Sequence, residues 1–147
     1  MIRKVLLGLL AILILIQFIP KNQEVHESSE KEIEFYTANQ VPQDIQNIMD
    51  AACMDCHSYR TTYPWYANIA PFSFFVEDHV EEGREHLNFH DWNSYSAKKA
   101  DHKLEECVEE IEEGEMPMKP YVLMHSEADL AGPNKERLMA YFASLRK

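Results

Sequence analysis

Cysteine is scarce in this chain. There are three, Cys53, Cys56 and Cys107, too few for a site built from four thiolates. Cations are also few: 14 Lys and Arg face 25 Asp and Glu, for a net charge of −11. Residues 1–20 carry Arg3 and Lys4 and no acid, so the remainder is two charges more negative still. So acidic a body cannot neutralise a phosphate backbone, which argues against nucleic acid as a partner. A basic protein met through electrostatic steering fits better; failing a partner, the charge simply keeps a small domain soluble. No paired-carboxylate, Ser/His/Asp or phosphate-loop arrangement is present, so no enzyme class built on those groups is supported. There is no internal repeat and no convincing strand. The one long apolar run, residues 5–19, is broken only by Gly8 and Gln17. As a helix it spans about 22 Å, short of a roughly 30 Å hydrocarbon core.

What is present centres on Cys53-Met54-Asp55-Cys56-His57. Two cysteines two residues apart, with histidine directly after the second, form the attachment signature of a c-type haem. The thiols must reach the two vinyl groups on one edge of a porphyrin, and a separation of about one turn allows it. His57 then lies under the ring and offers its imidazole to the iron as proximal ligand. A redox dithiol has no need of that histidine, and a zinc site needs a second ligand pair. One motif means one haem.

At 147 residues the chain is one domain plus an appendage. Residues 1–19, a short positive stretch followed by the apolar run, read as a signal peptide or an N-terminal membrane anchor. Pro20-Lys21-Asn22-Gln23 offers no small-x-small cleavage site, which favours an uncleaved transmembrane anchor over a removed signal. Both readings put the body on the periplasmic side, tethered or soluble, because the positive charges keep the N-terminus inside. Residues 20–40, polar and aperiodic, read as a tether. Residues 41–147 are then the haem-binding domain.

Within it, Ile45, Ile48, Met49 and Ala52 form one stripe of a helix that runs into Cys53. An aromatic stretch follows (Tyr59, Tyr63, Trp65, Tyr66, Phe72, Phe74, Phe75), suited to wrapping an apolar ring. A second helix is expected from Pro71 or Ser73 to about Gly83, which ends it or permits close packing; His79 faces inward and is read as a satisfied buried histidine, ahead of a distal ligand or a propionate contact. Trp92 anchors a loop. Ser94 or Ser96 caps a third helix to about Glu113, and Gly114 stops it. Residues 114–120 hold two prolines and are expected to be irregular. Ser126 caps a turn, and Pro133 opens the last helix. The fold class is all-α, with four to five helices after an N-terminal hydrophobic one.

The distal position decides what such a haem does. A thioether favours ferrous iron and electron transfer, whereas an open site suits gas or peroxide chemistry. Met116, between Gly114 and Pro117, is the expected distal ligand. Met118 is the runner-up, since an extended backbone turns it away when Met116 points in. His86, His90, His102 and His125 lack ligand-like spacing, His26 lies in the tether, and Cys107 reads as a small buried hydrophobe.

Terminal helices, a haem motif after the first and a methionine loop before the last resemble the cytochrome c fold. The run from 53 to 92 is more specific. It resembles the haem-binding domain family of exported bacterial monohaem c-type cytochromes. CxxCHS stands at 53–58, T-x-YPWY at 61–66, I-x-P at Ile69 and Pro71, His79 before Gly83-Arg84, LNF-x-x-W at 87–92, and MP at Met116-Pro117. The resemblance covers about residues 40–147. It implies a cytochrome c-like domain with one covalent haem c, though no particular reaction. The residues themselves point to an electron carrier with outer-sphere transfer to redox partner proteins, not an enzyme. Three alternatives stand beside it: a haem sensor or peroxidase-like protein with a labile distal site, an exported dithiol or metal-binding protein without haem, and a haem-bearing interaction module of a larger oxidoreductase complex.

Overall fold

A computed structural model describes residues 1–23 and 31–147, and among these it is all-helical, with eight α-helices and no strand. Helix α1 (Ile2–Leu15) continues as a 3-10 turn, Ile16–Phe18, and none of its residues is buried. Among the described residues no helix is long and apolar enough to cross a membrane. The transmembrane expectation is corrected accordingly: 14 residues rise about 21 Å. The segment nevertheless touches the body. Gln17 Nε2 donates to Ala70 O at 3.0 Å, and Ala70 N–H donates to Gln17 Oε1 at 3.0 Å.

The tether reading also needs correction over its last third. Its middle, including His26, lies outside the described residues. Beyond it, Ile33 and Phe35 are buried and open α2 (Glu34–Asn39), and Phe35 N–H donates to Phe89 O at 3.0 Å. Two apolar side chains in a polar stretch are enough to dock it. Gln40, in the left-handed region at φ 49°, ends the helix.

Helix α3 (Gln43–Ala52) buries the four side chains of its stripe, Ile45, Ile48, Met49 and Ala52. It passes at Cys53 into the single turn α4 (Met54–His57). Helix α5 (Phe72–His86) outruns its expected end at Gly83, and that glycine is there for close packing. A Cβ at Gly83 would stand 2.8 Å from Cys56 O, so α5 crosses α4 with backbone nearly on backbone. Helix α6 (Ala97–Glu113) begins at Ser96, whose Oγ accepts from Lys99 N–H at 3.3 Å, and stops at Gly114 with φ 75°. Residues 115–118 are irregular as expected, and short α7 (Lys119–Met124) begins at the end of that stretch; Pro120 sits in its first turn, where its missing N–H costs nothing. The residues at Ser126 form a 3-10 turn without a side-chain cap. Helix α8 (Pro133–Leu145) buries Leu138 and Phe142 against α6 and α3.

The centre of the core is aromatic. Phe35 lies 4.7 Å from Trp92, 4.9 Å from Phe89 and 6.0 Å from Phe142, ring centre to ring centre, mostly tilted or edge-on. This cluster supports the loop 87–92 from behind and leaves the other face of α4 and α5 to line a cavity.

Candidate functional site

That cavity measures about 1090 Å³. Cys53, Cys56 and His57 lie on its wall with Met116 and Met118, so all five residues singled out from the sequence meet there. None of the three cysteines is in a disulfide. Around the rim stand apolar side chains that water reaches freely: Trp65 is 72% exposed, Phe72 60% and Leu123 83%. Burying such surface contributes about 25 cal/mol per Å², so a large apolar guest is favoured here.

His57 is held in a definite state. Its Nδ1 lies 2.9 Å from Gly83 O and 3.1 Å from Leu87 O. Both neighbours only accept, so Nδ1 carries the proton and Nε2 keeps a lone pair. Burial holds the ring's pKa below its ordinary value, and a neutral imidazole is the form that ligates metal. The same Gly83 that lets α5 approach Cys56 therefore also aims His57.

The thiols are not poised for redox exchange. Burial raises both, Cys56 to about 11 and Cys53 further, with the neighbouring Asp55 charge adding to the Cys56 shift. Reactive dithiols need the opposite, a lowered pKa. Cys107 is pushed up to about 12, again by burial, and lines the same cavity from α6. No group of three or more His, Cys, Asp or Glu among the described residues could hold a metal ion.

The methionine lining of the cavity is richer than the spacing argument allowed. Met118 is not turned away: it caps α7 and lines the cavity beside Met116, and so does Met124. The backbone bends at Met116 and Pro117, just after the Glu115 and Met116 N–H groups fold back onto Glu110 O at 3.0 and 3.1 Å. Met116 itself is 36% exposed. His79, His86 and His125 also reach the cavity. His79 Nδ1 stays at its own helix, 2.8 Å from Phe75 O. The satisfied buried histidine is instead His90, with Nδ1 accepting from Tyr59 N–H at 3.2 Å and Nε2 at 3.3 Å from Lys31 O.

A profile of haem-binding domains matches residues 11–144. The chain belongs to the haem-binding domain family. The match begins well before the stretch that carries the motifs, inside the apolar N-terminal run. No curated protein and no solved structure matches the chain.

The residues of this haem-binding domain fit the group. An apolar ring has an apolar cavity with exposed aromatic edges, an iron would have the Nε2 of His57, and the thioethers of Met116, Met118 and Met124 line the same cavity. Two tyrosine pairs, missed in the sequence, supply polar contacts at the edge: Tyr121 O–H donates to Asp55 Oδ2 at 2.8 Å, and Tyr66 OH lies 2.9 Å from His125 Nε2.

Proposed function

We propose that this haem-binding domain is an exported monohaem c-type cytochrome that carries single electrons by outer-sphere transfer and does no chemistry on a bound substrate. The observation that carries the reading is the meeting of the Cys53 and Cys56 thiols and the His57 imidazole at one apolar cavity. On this reading Cys53 and Cys56 are the thioether positions, His57 Nε2 is the proximal ligand and Met116 the distal one, with Met118 next in line. The packing of α3 against α8 supports a cytochrome c-like arrangement of the terminal helices of the domain.

When bound, haem supplies a one-electron iron couple. The chain's residues tune and protect it. The carbonyls of Gly83 and Leu87 fix the His57 ring and make it a stronger donor. The aromatic walls exclude water, so nearby charges act through a lower dielectric. A thioether at Met116 favours the ferrous form. The surplus of acids steers a basic redox partner to the surface. The apolar N-terminal segment directs export to the periplasmic side of the cell membrane.

The test is an optical redox titration of the purified protein. Reversible one-electron conversion, with a weak long-wavelength charge-transfer band in the oxidised form, is the expected result. Met116→Ala should erase that band and let carbon monoxide bind the reduced form, while Met118→Ala should leave it. Free binding of carbon monoxide or peroxide by the wild type would favour the sensor or peroxidase-like reading instead.

A further inference from the structure

We propose that Tyr121, acting through Asp55, is the positioning residue that sets the methionine segment against the haem, an inference that rests on distal ligation by a methionine. Asp55 lies between the two cysteines of the attachment motif and spends both carboxylate oxygens. Oδ1 accepts from Thr62 N–H at 2.8 Å and fixes the chain that leaves the motif. Oδ2 accepts the Tyr121 hydroxyl at 2.8 Å. One carboxylate thus ties the thioether positions to α7, 66 residues further on.

Tyr121 is rigidly joined to the methionines. Its N–H donates to Met118 O at 2.9 Å, so a displacement of the ring moves the start of α7, and Met116 lies just before that start. A second fastening stiffens the first. The Tyr121 ring stacks on His125 at 4.4 Å with 16° between planes, and His125 Nε2 meets Tyr66 OH at 2.9 Å. Besides the Met116 N–H bond to Glu110 O at 3.1 Å, little else restrains this segment. Leu123 and Met124 are exposed, and of the side-chain hydrogen bonds joining residues 116–125 to the rest of the described residues, all come from Tyr121 and His125. Tyr121 and Asp55 both line the cavity, so the tie is made where a shift of the segment reaches the distal ligand directly.

The test uses the haem-loaded full chain with Tyr121→Phe, which removes the hydroxyl and keeps the stacked ring. The methionine–iron charge-transfer band should weaken, and carbon monoxide should bind the reduced form about tenfold faster, the scale of one lost charge-assisted hydrogen bond. Asp55→Ala should do the same, and the double variant should be no worse than the worse single. A Tyr121→Phe protein with the wild-type band and rate overturns the proposal, as does additivity of the two substitutions. Should the wild type show no such band, methionine ligation itself fails, and the tie is then judged by amide exchange at residues 118–124. About tenfold faster exchange there in Tyr121→Phe supports it, and unchanged exchange overturns it.

Discussion

Gly83→Ala separates two opposed effects at the position where α5 crosses the haem motif. Helix propensity alone favours alanine over glycine inside a helix by about 1 kcal/mol. The structure predicts the reverse. The added Cβ would stand 2.8 Å from Cys56 O and 3.1 Å from Cys56 Cβ. The nearest atom belongs to the backbone and cannot turn aside, so α5 must retreat from α4. Overpacking of this kind costs about 1–3 kcal/mol, and a rigid neighbour puts it in the upper half of that range. Retreat also stretches the 2.9 Å bond from His57 Nδ1–H to Gly83 O. Net destabilisation of about 1–2 kcal/mol follows, which at this chain length lowers the melting temperature by about 3–6 °C. Thermal unfolding of the haem-loaded protein, followed at the haem absorption and by circular dichroism, is the assay. A variant that melts at or above the wild-type temperature would refute the close-approach argument.

Other perturbations address other parts of the account. Phe35→Ala, in a segment that reads as tether, should cost about 3–5 kcal/mol in denaturant unfolding, as truncation of a fully buried aromatic does; a loss below about 1 kcal/mol would restore the tether reading. His90 is buried with its pKa held below the ordinary value, burial being the main cause, and a second ring proton would face the Tyr59 N–H donor. The unfolded chain therefore binds the extra proton more readily, and stability falls as pH drops below about 6.5, by at most about 1.4 kcal/mol per pH unit. His90→Gln should flatten that dependence in denaturation series at pH 7 and 5, and equal slopes would contradict it. N-terminal sequencing of the native protein should find residues 1–23 retained, since Gln17 holds both backbone groups of Ala70; a chain beginning near residue 24 or later would identify a removed signal.

Long periodic helices were legible in the sequence. The stripe of α3, the Ser96 cap and Gly114 stop of α6, and the proline start of α8 each rest on local chemistry. Helix α2 escaped because Ile33 and Phe35 are too few to show a period, and their burial depends on a partner at Phe89. The start of α7 was hidden by Pro120, which is harmless in a first turn. At the site, Cys53, Cys56 and His57 were legible because the motif is contiguous. Tyr121 with Asp55, and Tyr66 with His125, lie 66 and 59 residues apart, and no spacing rule spans such distances. Gly83 was open to two readings, a helix end or close packing, and both the choice between them and its carbonyl's hold on His57 depend on where α5 crosses.

Covalent attachment at Cys53 and Cys56 is the claim on which ligation, potential and tie all depend. Mass spectrometry of the native protein after denaturation and acid-acetone extraction tests it directly. The polypeptide should carry the mass of one haem, and peptide mapping should place it on the fragment containing Cys53, Cys56 and His57. The Cys53→Ser/Cys56→Ser protein should lose it. A wild-type chain at its bare polypeptide mass, with haem in the organic phase, would contradict the account.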